Sequence, residues 1–111
     1  MSDPLVCVCV PCFNAEKTIS ETLGSILEQT YSNIEVHIFD NASTDGTVKV
    51  ATEFHDSRIS IHRSEKTTSG EDNFTRCLNL GRGEYTAIYH ADDLYNEKMI
   101  EKAVKYLEEY K

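Results

Sequence analysis

Positive charge is scarce in this chain. Lys and Arg number 11 against 19 Asp and Glu, a formal net charge of -8. Nucleic-acid binding draws on clustered Lys and Arg, so that class is excluded. The same scarcity means that a bound phosphate needs positive charge supplied locally. No apolar run approaches the roughly 20 residues that a membrane span needs. The start, Met1-Ser2-Asp3-Pro4, has no basic stretch before an apolar one, so no secretory leader is expected. Internal repeats, low-complexity tracts and linkers are missing too. No Gly-x-Gly-x-x-Gly follows the first apolar run, and no Walker A motif occurs, which excludes a dinucleotide fingerprint and a P-loop.

The cysteines Cys7, Cys9, Cys12 and Cys77 match no common zinc spacing, and Cys7-Val8-Cys9 alternates inside an apolar run. They are expected to be reduced, buried residues of a cytoplasmic protein.

What is present fits one globular domain of modest core: 111 residues, 40% hydrophobic and 27% charged. Leu5–Val10 is continuously apolar and β-branched, as in a strand buried on both faces, and Pro11 is expected to end it. Asn14 is a candidate N-cap for a helix carrying Ile19, Leu23, Ile26 and Leu27 on one face. Ile34–Phe39 reads as a second strand. Asp45-Gly46 then gives a hairpin signal, but Val48, Ala51 and Phe54 keep helical spacing. A helix capped by Ser43 or Thr44 is therefore favoured. Arg58–His62 alternates as a third strand. Asp72–Leu80 reads as a helix with Phe74, Cys77 and Leu78 on its core face, stopped by Gly81 and Gly83. Glu84–Tyr89 is a fourth strand. A last helix, capped by Asn96, presents Met99, Ile100, Ala103, Val104 and Leu107, with a Glu101–Lys105 pair.

The order β-α-β-α-β-α-β-α with short connections implies an α/β fold, a Rossmann-like doubly wound parallel sheet of about four strands in the order 3-2-1-4. In such a sheet a crevice opens outside the carboxyl ends of strands one and four. Phe13, Asp40, Asp92 and Asp93 stand at strand ends and would gather there. Asp92 and Asp93 repel one another unless a cation screens them. Two such acids can hold Mg²⁺ or Mn²⁺, hard cations that take oxygen ligands and leave room for substrate phosphates. Phe13 can stack on a base, and Asp40 can accept from a base N–H or a ribose hydroxyl. Plainer readings stand beside these: Phe13 as core, Asp40 as a turn cap, Asp92-Asp93 as a solvated loop.

Three stretches, Val8–Asn14, Ile38–Thr47 and Gly83–Asp93, resemble the N-terminal half of family-2 glycosyltransferases of the GT-A fold. The resemblance covers essentially the whole chain. It implies a nucleotide-sugar donor, most often a UDP-sugar, a Mg or Mn ion, and a role in polysaccharide biosynthesis. A saccharide or lipid-linked acceptor is implied for the full-length protein. By position, Pro11, Phe13 and Asn14 belong to the loop around the base, and Asp40 reads the uracil with Asn41 beside it. Lys66 and Arg76 complete the candidate nucleotide-binding set with Asp92, although a solvated helical arginine is an equal reading of Arg76. Asp92 and Asp93 are the candidate metal ligands, with His90 a further one.

Two positions depart from the family pattern. Asn41 stands where a second acid is usual, and His90 where the first Asp of the acidic signature is usual. The acceptor half and the catalytic base are expected beyond residue 111. Residues 1–111 are thus read as a truncated, nucleotide-sugar-binding half, inactive in transfer by itself, with no catalytic residue assigned. The rivals are a receiver-like Mg-binding signalling module and an assembly domain. A receiver needs acids after strand one, where Pro11-Cys12-Phe13-Asn14 offers none. Truncation would also leave the edge Glu84–His90 open for self-association.

Overall fold

A computed structural model describes residues 3–79 and 83–110. The elements follow the order read from the sequence: β1 (Val6–Cys12), α1 (Ile19–Leu27), β2 (Ile34–Asp40), α2 (Thr47–Thr52), β3 (Ile59–Arg63), α3 (Gly70–Leu78), β4 (Tyr85–Ile88) and α4 (Met99–Glu109). All pairings are parallel, in the order β3-β2-β1-β4. This is the expected doubly wound arrangement. Alternation along β1 divides the interior. Val6, Val8, Val10 and Cys12 face a core built with Ile19, Leu23 and Ile26 of α1, Ala51 of α2, and Ile100 and Val104 of α4. On the other face Cys9 packs with Phe39 and with Cys77 of α3. Burying each large aliphatic side chain contributes about 1.5–3 kcal/mol.

Several local expectations are corrected. Pro11 does not end β1; the strand continues to Cys12, with Pro11 opposite Phe39. The Cys9 carbonyl accepts the Tyr89 amide, so odd residues of β1 point their backbone toward β4. β4 stops at Ile88, so the N–H that proline lacks has no ladder partner to lose. β3 starts one residue late because Asp56 holds both the amide and the guanidinium of Arg58 in a turn.

Asn14 caps no helix: α1 starts at Ile19, and Asn14 takes a left-handed φ of 49°. Ser43 and Thr44 do not cap α2. Its start follows Gly46, and Asp45 Oδ1 accepts the Thr47 amide instead. α3 starts before Asp72, at Gly70, where Ser69 Oγ accepts the Asp72 amide as a side-chain cap. Asn96 makes a turn before α4, accepting the Lys98 amide at 2.9 Å, and Lys98 takes the N-cap position.

The amphipathic faces are narrower than the spacing suggests. On α3 the buried residues are Asn73 and Cys77, while Phe74 and Leu78 are exposed. On α4 only Ile100 and Val104 are buried; Met99, Ala103 and Leu107 are exposed. No ion pair joins Glu101 to Lys105; Glu101 Oε2 accepts from the Thr30 hydroxyl at 2.9 Å. The expected helix end at Leu80 and Gly81 lies outside the described residues. Gly83 has φ +76°, and a Cβ there would stand 3.0 Å from the Leu5 carbonyl oxygen. Only glycine fits that approach without strain.

Candidate functional site

The carboxyl ends of β1 and β4 enclose a two-lobed crevice. One lobe, about 270 Å³, is lined by Pro11, Cys12, Phe13, Asn14, Ala15, Thr18, His90, Ala91 and Asp92. The other, about 290 Å³, shares Pro11, Cys12, Phe13 and His90 and adds Asn41, Gly70, Asn73 and Phe74. A larger hollow of about 440 Å³ between residues 3–4, 30–32 and α4 lies at the opposite end of the sheet, away from the strand-end acids. Ligand crevices of open α/β sheets lie at carboxyl strand ends, so the two-lobed opening is the candidate site.

The loops after β1 and β2 are stitched together. Asn14 N donates to Ser43 Oγ at 2.9 Å, Ala15 N to Thr47 Oγ1 at 2.8 Å, and Glu16 N to Asp45 Oδ2 at 3.3 Å. In return Asn14 Oδ1 accepts the Thr44 amide at 2.8 Å. Asn14 and Ala42 both take positive φ, 49° and 56°, where these loops meet. Successive amides that could have cradled an anion are thus committed to the neighbouring loop. An anionic ligand in this crevice needs its countercharge elsewhere.

Asp40 lies beneath the stitch and is fully buried. Its Oδ2 accepts the Ser43 amide at 3.0 Å, and its Oδ1 accepts the Ser43 hydroxyl at 2.5 Å and the Cys12 thiol at 3.6 Å. Burial, with the Asp40 charge adding to it, pushes the Cys12 thiol up to about 12, so it stays protonated as a donor. Asn41 is also engaged: its amide exchanges hydrogen bonds with the Thr68 backbone at 2.7 and 2.8 Å.

The acidic corner is held from below by polar side chains of α1 and its N-terminal edge. The Thr18 hydroxyl donates to the Ala91 carbonyl at 2.9 Å, and the Thr22 hydroxyl to the Asp93 carbonyl at 2.7 Å. Ser25 Oγ accepts the Tyr95 amide. Tyr95 stacks on Tyr89 with centroids 4.0 Å apart, and its hydroxyl accepts the His90 amide at 2.7 Å. Burial first, and then the charges of Asp93 and Asp92, push the Tyr95 phenol up, so it remains neutral beside them. With the backbone fixed this way, both Asp92 and Asp93 side chains are exposed at the end of β4.

The structure therefore brings Pro11, Phe13, Asn14, Asn41, His90 and Asp92 to one crevice, with Asp40 under its floor. Asp93 adjoins it but does not line it. Lys66 is exposed in the loop after β3 and lines neither lobe. Arg76 is turned away. Its guanidinium donates to Ser64 Oγ, Asn73 Oδ1 and the His62 carbonyl and lies 5.2 Å from the Phe39 ring centroid. His90, Asp92 and Asp93 do not converge as a trio of ligand atoms. Among the described residues the only such group is Cys7, Glu35 and His37. The donor set at the corner is nonetheless hard carboxylate oxygen. One or two such groups suit Mg²⁺ or Mn²⁺ when phosphate and water complete the shell.

Sequence reasoning missed Phe74, Asn73 and Gly70. The helical spacing of Phe74 pointed to the core, and the only contrary signal was the polar residues that share its helix.

The glycosyl transferase family 2 model matches residues 7–111. The chain belongs to this family. Among its relatives is an Escherichia coli protein, UDP-Glc:alpha-D-GlcNAc-diphosphoundecaprenol beta-1,3-glucosyltransferase WfgD. It is 34% identical over 94% of this chain and 41% of its own length. The mannosyltransferase PcManGT from Pyrobaculum calidifontis, solved with GDP-Man and Mn²⁺, superposes with a TM-score of 0.86 at 32% identity. The match covers 96% of this chain and 33% of that one. S. aureus TarS 1-349, solved with UDP, gives a TM-score of 0.86 at 26% identity over 94% of this chain and 32% of that one. The family 2 chain thus spans about two fifths of the length of WfgD. Family membership replaces the receiver-like reading, and the neighbours are GT-A glycosyltransferases.

Proposed function

We propose that residues 1–111 form the donor-binding part of a glycosyltransferase. The crevice holds a nucleotide diphospho-sugar, a UDP-sugar in this reading, through Mg²⁺ or Mn²⁺. The observation that carries it is the placement of Phe13, Asn14, His90 and Asp92 around one opening at the ends of β1 and β4. Phe13, half exposed, offers a ring face to the base. Asp92, with Asp93, takes the cation, which supplies the positive charge that the stitched amides and the acidic chain cannot. Asp40 joins recognition by exchanging the Ser43 hydroxyl for a base N–H. Lys66 and Arg76 remain outer members of the set: Lys66 reaches the ligand only if its loop shifts, and Arg76, on α3, only if its guanidinium leaves Ser64, Asn73 and the His62 carbonyl.

In the whole protein the reaction is transfer of the sugar to an acceptor hydroxyl, on a saccharide or lipid-linked carrier at the cytoplasmic membrane face. The WfgD name, with a UDP-sugar and a diphosphoundecaprenol acceptor, supports that class. General-base chemistry is assigned to no residue of this chain. The outer edge of β4 is where a further strand or a second copy would pair.

Calorimetric titration with UDP, with and without Mn²⁺, tests the reading. Binding should need the metal and disappear in Asp92→Ala. Equal binding without metal, or in Asp92→Ala, refutes it.

A further inference from the structure

A second group of ligand atoms lies away from the carboxyl strand ends, on the face of the sheet that also carries Cys9 and Phe39. Parallel register sets Cys7 of β1 directly opposite Glu35 of β2, and His37 follows two residues along on the same face. Cys7 Sγ lies 3.9 Å from Glu35 Oε1, and Glu35 Oε1 lies 2.9 Å from His37 Nε2. The three ligand atoms are all within 4.8 Å of one another. Ligands about 2.0–2.3 Å from one tetrahedral ion stand roughly 3.3–3.8 Å apart, so small side-chain adjustments suffice. Cys7 is fully buried and His37 nearly so, whereas Glu35 is partly exposed and marks the open side.

We propose that Cys7, Glu35 and His37 form a site for a thiophilic divalent metal, Zn²⁺ by preference, that clamps β1 to β2. The donor set selects the metal. A thiolate and an imidazole suit Zn²⁺, whereas Mg²⁺ and Mn²⁺ prefer oxygen alone. The support around the site is of the kind such ligands need. His37 Nδ1 stands 2.9 Å from His62 Nε2, which orients the ring with Nε2 toward Glu35 and Cys7. His62 is fixed in turn by stacking on Phe39, with centroids 4.6 Å apart, and by the Arg76 bond to its carbonyl. Gly83 adds room, since a Cβ there would sit 3.4 Å from Cys7 Sγ. Cys7 is five residues before Cys12, roughly 16 Å along the strand at about 3.3 Å per residue. The site is thus separate from the crevice and independent of the function proposed for it.

Co²⁺ titration of the metal-free protein, followed by absorption spectroscopy, tests the assignment. One equivalent should produce a thiolate-to-cobalt charge-transfer band that Zn²⁺ bleaches. Cys7→Ser should abolish the band, Glu35→Gln should weaken binding by about tenfold or more, and His62→Phe should weaken it about tenfold. Asp92→Ala should leave the band intact, which separates this site from the crevice. Absence of the band in the unmodified protein, or an equal band in Cys7→Ser, overturns the proposal. If Cys7→Ser fails to fold, Glu35→Gln decides, and unchanged affinity in that variant overturns it.

Discussion

Ser43 Oγ donates to Asp40 Oδ1 at 2.5 Å while accepting the Asn14 amide at 2.9 Å. One hydroxyl thus ties a fully buried carboxylate to the loop that walls the crevice. Ser43→Ala removes a donor from a buried charge and an acceptor from a backbone amide. The expected loss is about 1–3 kcal/mol of unfolding free energy, measured by urea denaturation. Weaker UDP binding should accompany it, because the Asn14 turn loses its anchor.

Asp45 gives the stitch a pH dependence. The Thr47 hydroxyl first, then the Thr47 and Glu16 amides, hold its carboxyl below the usual aspartate range. A lowered folded-state value means that its contribution is complete above the unfolded value of about 3.9. That contribution is lost as pH falls through the lower folded value. In parallel acid titrations of stability, Asp45→Asn should lose less than the unmodified protein below about pH 4. Identical slopes would show that the contacts of Asp45 do not favour its charged form.

Gly83 carries the turn into β4. Its φ of +76° and the 3.0 Å approach of a Cβ to the Leu5 carbonyl make alanine costly there. Gly83→Ala should destabilise by about 1–3 kcal/mol, seen as a lower Tm.

The crevice aromatics separate binding from folding. Phe13 and Phe74 are 50% and 41% exposed, so truncating either should change stability by no more than about 0.5 kcal/mol. If the base stacks on Phe13, Phe13→Ala should weaken UDP binding by about 1–3 kcal/mol in calorimetry. Phe74→Ala should weaken it less, because Phe74 lines only the lobe without Asp92.

Much of this was legible in the sequence, for identifiable reasons. Val6–Val10 and the end of β2, Ile38-Phe39, are apolar on both faces, as a covered parallel sheet requires, and the 3-2-1-4 order placed Pro11, Phe13 and His90 together. The caps were not legible. Asn14, Ser43 and Asp45 have cap chemistry, but their side chains bond across to the other loop, a tertiary choice that local propensity does not encode. Asp40 looked like an open acceptor because nothing in its neighbourhood reveals that Ser43 and Cys12 enclose it. Arg76 looked available for a ligand, yet Ser64, Asn73 and the His62 carbonyl take its donors. Phe74 has the spacing of a core residue, but α3 turns Asn73 and Cys77 inward instead.

The central claim is that a nucleotide sits at the carboxyl ends of β1 and β4 through a cation on the acidic corner. Paramagnetic broadening by Mn²⁺ in the presence of UDP, read on the amide NMR spectrum, tests it most directly. Selective broadening is expected at residues 13, 14 and 90–93, with residues 30–32 and 104–108 at the far end of the sheet unaffected. Broadening centred on that far end, or uniform weak broadening that UDP does not sharpen to one region, would contradict it.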